Sequence, residues 1–187
     1  VSNDSKGSLL AVVNNAGYGL PGAIEDLDYD KIVKQFNVNL FGAIELTNQL
    51  IPMLLNQKKS NIVYVSSLVG RLSLPFMGIY SATKFAMEAV ADAQRIELSD
   101  TPIKVSLIEP GPISSKFSKN CADHMETLIN KKSRFNNFYI NYFKKRVKGD
   151  LVEDNFRLPS QIVAKKIYHA LKSKNSKSRY RITIPTY

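Results

Sequence analysis

The chain has 187 residues, two histidines and one cysteine, Cys121. That excludes an internal disulfide and a thiolate metal cluster, and His124 and His169 lie in separate segments with no ligand spacing. A formal net charge of +10 from 26 Lys/Arg and 16 Asp/Glu comes without any finger, homeodomain or RNP pattern, so it reads as solvated surface and not as a nucleic-acid footprint.

The basic surplus sits late, with nine Lys/Arg against Asp123 and Glu126 between Lys116 and Lys148. The first residues, Val1 to Gly7, are polar and do not resemble a signal peptide. No continuous apolar run approaches membrane-spanning length. Together with the single cysteine, this predicts a reducing, cytoplasmic setting. The chain begins at Val1 and not at a methionine, from which we expect a fragment of a longer protein.

Leu9–Val13 is a short apolar run ending in Asn14-Asn15-Ala16-Gly17, the pattern of a buried parallel strand entering a loop. Asp28 is placed to cap a helix from Tyr29 to about Asn56. Along it Ile32, Phe36, Leu40, Ala43, Leu46 and Leu50 recur at three- and four-residue spacing. Asn61–Ser66 is a second strand, Ile79–Leu98 a helix, and Ile103–Ile108 a third strand ending in Glu109-Pro110-Gly111-Pro112. Residues 114–158 read as irregular, basic and aromatic. Gln161–Leu171 is a helix and Tyr180–Ile184 a last strand. Alternating strands and helices predict a doubly wound parallel α/β sheet forming a single domain over residues 1–187. In such a sheet ligands bind beyond the carboxyl ends of the strands. Asn15-Ala16-Gly17, Ser67 and Pro110-Gly111 each follow a predicted strand, so one rim collects them.

Tyr80 and Lys84 are four apart near a helix start and share one face. A free tyrosine has a pKa of ~10. A cation one turn away favours the phenolate, and a helix N-terminus adds to the effect, so a lowered tyrosine pKa is expected. Such a tyrosine exchanges protons with an alcohol or carbonyl oxygen, which Ser67 can hold by a hydrogen bond. A Tyr-x-x-x-Lys spacing alone is common by chance.

Here it stands with NNAG at 14–17, NVNLFG at 37–42, SS at 66–67, YSATK at 80–84 and PGPI at 110–113. In order and spacing these resemble the motifs of the short-chain dehydrogenase/reductase family, whose fold is Rossmann-like. The resemblance implies Tyr80 as general acid/base and Lys84 as the residue lowering its pKa and binding the nicotinamide ribose. It implies Ser67 as substrate-orienting, and Asn39 as a helix-interrupting asparagine that holds a water between Lys84 and solvent. Asn15, Ala16 and Gly17 would line the adenosine side of the cofactor, and Pro110, Gly111 and Ile113 the nicotinamide pocket. Ser66 is read as structural, and Ser115 as a neighbour of the diphosphate.

No G-x-x-x-G-x-G spacing occurs upstream of NNAG, so the chain resembles the last two-thirds of such a domain, without the first strands and glycine-rich loop. Residues 114–158, with Phe117, Phe135, Phe138, Tyr139, Tyr142 and Phe143, fall where the family carries its substrate-covering segment. They read either as helices packed on the body or as an apolar lid. SLVGRLSLPF and SLIEPGPISSKF resemble the branch of hydroxysteroid and retinol dehydrogenases and bacterial aldehyde reductases. That branch implies an apolar alcohol/carbonyl pair and NADP(H) over NAD(H). Family members pair subunits through the helices carrying Asn39 and Tyr80, which implies a homodimer or homotetramer. The competing readings are a non-catalytic relic or binding protein, and lyase or isomerase chemistry with the same residues.

Overall fold

The computed structural model describes residues 8–129, 132–148 and 157–182, with side chains omitted for 143–148. The Phe143 side chain, residues 149–156 of the expected substrate cover and the Thr183–Ile184 end of the expected last strand lie outside these.

Four parallel strands form the sheet, β1 (Ala11–Asn14), β2 (Ser60–Val65), β3 (Ile103–Glu109) and β6 (Arg179–Arg181), in the order β1-β2-β3-β6. Tyr64 stands between Asn14 of β1 and Leu107 of β3. The strands alternate by face, as a pleat requires. Ile62, Tyr64, Val105 and Leu107 pack with Leu54, Met87 and Ala91 on one side. Val63 and Ile108 pack with Ala170 and Tyr180 on the other. The two helical layers are therefore α1 (Tyr29–Phe36), α2 (Gly42–Leu55) and α3 (Gly78–Glu97) on one face, and α6 (Ser160–Lys172) on the other. This is the doubly wound arrangement expected from the alternation of elements.

The helix whose apolar pattern runs from Tyr29 to Asn56 is interrupted by a π turn over Asn37–Phe41, at the Asn39 position where the family resemblance implies an interruption. Asp28 occupies the N-cap position without a side-chain cap bond; its carboxylate meets Lys31 at 3.1 Å. By length and composition alone, Tyr29–Leu55 meets the test for a membrane span, a test that core helices also pass. In this fold its Leu40, Thr47 and Leu54 are buried against the sheet.

The larger correction concerns residues 114–158. They carry α4 (Lys116–Glu126) and α5 (Asn136–Lys148), and a short parallel pair, β4 (Ile113–Ser114) with β5 (Leu158–Pro159). Ser115 caps α4, its Oγ accepting from the Phe117 amide at 3.3 Å. The buried residues Cys121, Ala122, Met125 and Leu128 do recur at helical spacing. Asp123, His124, Glu126 and Thr127 stand between them, and only one large aliphatic, Leu128, belongs to the stripe, which hid it.

The loop joining β1 to α1 is pinned to this layer. Gly22 has φ +151°, and a Cβ there would lie 2.8 Å from both Leu27 and Leu128. Gly22→Ala is expected to cost about 1–3 kcal/mol, from a backbone conformation alanine rarely adopts and from overpacking; chemical denaturation measures it.

Candidate active site

The carboxyl ends of β1, β2 and β3 open onto one cavity of about 860 Å³. Lys84 reaches it from the second turn of α3, 4 % exposed. Its Nζ donates to the carbonyl oxygen of Val65, the last residue of β2, at 2.8 Å, and lies 5.9 Å from the centre of the Tyr80 ring. Tyr80, one turn earlier, has its ring 5.2 Å from Phe117 of α4. Ser67 follows β2 and caps the 3-10 turn Leu68–Gly70, accepting from the Val69 amide at 3.3 Å. Its hydroxyl also donates to the Pro110 carbonyl at 3.4 Å. Asn15, Gly17, Pro110, Gly111 and Ile113 line the same cavity. Ala16 is exposed between Asn15 and Gly17 at its rim.

Asn39 sits fully buried inside the π turn. Its amide grips the backbone of Tyr18: the Tyr18 N–H donates to Oδ1 at 3.0 Å, and Nδ2 donates to the Tyr18 carbonyl at 2.9 Å. Nδ2 also reaches Thr83 Oγ1 at 3.2 Å. The Thr83 hydroxyl in turn donates to the Tyr80 carbonyl at 2.8 Å. The widened turn thus ties the loop after NNAG to the first turn of α3. A Cβ on Gly17 would lie 3.2 Å from Asn39 Oδ1 and 3.7 Å from Lys84 Nζ, so glycine keeps the approach to the ammonium open.

The electrostatics differ from the expected lowered tyrosine. Burial pushes the Tyr80 hydroxyl well above the usual phenol range, an effect only partly offset by its hydrogen bond with Ser67. Burial also brings Lys84 down to about 8, against a smaller opposing influence from Glu88. Both charged forms lose solvation in the same site, and desolvation outweighs the helix and the one-turn cation. At neutral pH Tyr80 is a phenol and Lys84 is mostly an ammonium.

Several parts of the site escaped the sequence reading. Thr83 links Asn39 to Tyr80 although its motif position was quoted only as part of YSATK. Cys121 lines the cavity and lies close to Gly19, whose Cβ would come within 2.7 Å of its sulfur. Phe76 adopts φ +62°, an uncommon state for a bulky residue. Its carbonyl accepts from Gly22 N–H at 2.7 Å, and its ring stacks on Phe138 of α5 at 3.9 Å. Ser115 and Ser66, both named from the sequence, line the cavity as well.

Comparison with known proteins agrees with this geometry. Residues 3–126 match the family model described as short chain dehydrogenase. The chain is 36 % identical over 179 residues to the uncharacterized oxidoreductase YbbO of Escherichia coli K12, covering 96 % of this chain and 60 % of YbbO. It is 35 % identical over 121 residues to retinol dehydrogenase 8 of Bos taurus, covering 65 % of this chain and 39 % of that one. A Burkholderia phymatum short chain dehydrogenase/reductase crystallised with NAD superimposes with a TM-score of 0.71 at 24 % identity, over 92 % of this chain and 60 % of that one. The chain spans about 60 % of the length of YbbO. With the family model covering most of its length and the tyrosine, lysine and serine of the motif gathered at one cavity, the chain belongs to the short-chain dehydrogenase/reductase family.

Proposed function

We propose that the full-length protein is an NAD(P)-dependent oxidoreductase that interconverts an apolar alcohol and its aldehyde or ketone. The observation that carries this reading is the convergence of the Tyr80 phenol, the Ser67 hydroxyl and the Lys84 ammonium on one cavity. That cavity falls within the ~300–1,000 Å³ typical of small-molecule sites.

The residues present fit a nicotinamide cofactor. Lys84 commits one hydrogen bond to Val65 O, and an ammonium has three donors, so it retains capacity for ribose hydroxyls. Gly17 leaves the space beside that ammonium open. Asn15, Ala16 and Gly17 would border the adenosine side, and Pro110, Gly111 and Ile113 the nicotinamide. When bound, the cofactor supplies or accepts the hydride. Tyr80 in its phenol form hands a proton to the carbonyl oxygen during reduction and takes it back during oxidation. Ser67 holds that oxygen beside Tyr80. Lys84 stabilises the phenolate as it forms, and Asn39 anchors the loop and α3 against which these groups are set. NADP(H) is proposed over NAD(H), on the branch resemblance.

The cavity wall supports an apolar substrate. Leu74, Met77, Phe117 and Tyr142 line it, and α4 with α5 act as the cover, fastened by Tyr139. The Tyr139 hydroxyl donates to Asp26 Oδ2 at 2.5 Å and accepts from the Ala23 amide at 2.9 Å. Pairing into a homodimer or homotetramer through the helical segment carrying Asn39 and through α3, which carries Tyr80, is supported by the exposed Phe41 and Phe85. A cytoplasmic setting and the absence of nucleic-acid partners belong to the same proposal.

The test is nicotinamide absorbance in the full-length protein with a panel of aldehydes, ketones and alcohols, run with each dinucleotide. Turnover favouring aromatic or long-chain substrates and NADPH is expected; no turnover across the panel overturns the assignment. Ser67→Ala is expected to lower kcat about 10-fold or more, by loss of one oriented hydrogen bond in the transition state, with little change in cofactor KM.

A further inference from the structure

Behind Lys84 lies a cluster of charges that the proposed reaction does not use. Glu88 follows Lys84 by one turn of α3, and its side chain is 10 % exposed. Asp92 is one turn further. Glu109, at the end of β3, is fully buried. Arg179 of β6 binds all three: Nη1 lies 3.0 Å from Glu88 Oε2 and 3.5 Å from Glu109 Oε1, and Nη2 lies 2.5 Å from Asp92 Oδ2. Arg71 and Arg181 meet Glu109 Oε2 at 3.5 and 3.7 Å, and Arg95 meets Asp92 at 2.5 Å.

We propose that Glu88 is a positioning residue for Lys84: its buried carboxylate, clamped by Arg179 of the last strand, supplies the negative charge that keeps the neighbouring ammonium charged at the cavity. The inference deepens the oxidoreductase reading and rests on it for its catalytic consequence.

Lys84 is surrounded by groups that do little for its charge. Tyr80 is a neutral phenol, Val65 offers a carbonyl, and Met87 offers a thioether at 3.9 Å. Glu88 is the neighbour whose charge favours the ammonium. Residues four apart on a helix face each other, so the carboxylate lies on the same side of α3. Glu88 is itself under pressure. Burial and the nearby Glu109 and Asp92 push its pKa up, while the Ser66 hydroxyl and Arg179 pull it down. Burial dominates and the net shift is upward; Ser66 first and Arg179 after it are the groups that favour the carboxylate. Gly70 leaves room for the Ser66 and Glu88 side chains: a Cβ there would lie 2.6 Å from Ser66 Oγ and 3.2 Å from Glu88 Cγ. The clamped carboxylate thus joins β6 to the face of α3 that carries Lys84 one turn earlier.

The simpler role is mechanical, an ion pair fastening β6 to α3. The two roles separate in the titration of Lys84 Nζ, followed by 15N NMR and assigned by loss of its signal in Lys84→Arg. Glu88→Gln keeps the shape and removes the charge, and is expected to move the titration down by about 0.5–1 pH unit. Asp92→Asn weakens the fastening while keeping the Glu88 carboxylate and its bond to Arg179, and is expected to leave the Lys84 titration in place. In wild type, the Lys84 signal is expected to carry a second inflection where the Glu88 carboxyl titrates, which needs no variant to fold. Superimposable Lys84 titrations in wild type and Glu88→Gln, equal shifts in both variants, or a missing second inflection would overturn the proposal. The titration does not depend on turnover. An inactive protein with the expected shift refutes the oxidoreductase reading alone, and an active one without it refutes the role of Glu88 alone. In an active protein the high-pH limb of kcat/KM moves down with the Glu88→Gln titration.

Discussion

Tyr80→Phe is expected to lower kcat of the full-length protein by about 10²–10⁴-fold, the usual contribution of a positioned acid/base, while dinucleotide binding stays near wild type. The substitution removes one oxygen and little else. The ring is buried and packs on Phe117, and phenylalanine preserves that contact. The lost hydroxyl is the group in the cavity that Ser67 bonds and that burial holds protonated. Burial keeps the proton on Tyr80 at neutral pH, and because the substitution leaves the reaction equilibrium unchanged, the loss in kcat/KM should be equal in the two directions. Steady-state kinetics in both directions, with dinucleotide fluorescence quenching for binding, make the measurement. Turnover near wild type in Tyr80→Phe would remove Tyr80 from the mechanism. A parallel loss of dinucleotide binding would assign it a structural role instead.

The sheet was legible because its strands are short runs of β-branched and aliphatic residues that need no tertiary context to declare themselves. LLAVV, NIVYVS and IKVSLI became β1, β2 and β3 with shifts of one or two residues at their ends. The rim followed from topology, since whatever comes after a parallel strand meets at one edge. The interruption at Asn39 was implied by the family resemblance and not by the hydrophobic pattern. Its Val38, Asn39, Leu40 sequence continues the helical pattern, and the reason for the break is the backbone of Tyr18, 21 residues away. In residues 114–158 packed helices were one of the two readings, but α4 could not be placed because its stripe is built from Phe117, Cys121 and Met125 among polar and charged residues. The direction of the Tyr80 shift was misread. Sequence spacing reports a nearby cation, but the degree of burial that opposes it is set by α4, β2 and β3 closing over the site. The Glu88–Arg179 pair shows the same limit: a carboxylate four residues after Lys84 is plain in the sequence, whereas its guanidinium partner is 91 residues away.

Lys84→Met is expected to abolish turnover and, at the same time, to make the fold more stable at neutral pH. The lysine is a buried cation with a carbonyl and a thioether as its near partners, and burial depresses it to about 8 from an ordinary 10.5. An unfolded chain, where the amine is solvated, therefore holds its proton more tightly than the folded one. That difference penalises the folded state by about 3 kcal/mol below pH 8. Methionine fills much the same volume without charge, and gives back about 1 kcal/mol through the hydrogen bond lost at Val65. The net gain is about 1–3 kcal/mol. The sign with pH follows from the depressed value. Between about pH 8 and 10.5 the unfolded state binds more protons than the folded state, so wild-type stability rises through this window. The advantage of the methionine variant should be largest below pH 8 and vanish near pH 10.5. Denaturant unfolding of both proteins at neutral and alkaline pH reads this directly. A variant no more stable than wild type at pH 7, or one whose advantage persists unchanged into the alkaline range, would mean that Lys84 is solvated or better compensated than the structure indicates. If the gain appears as expected, the lysine is retained against its own folding cost, the pattern of a residue kept for chemistry.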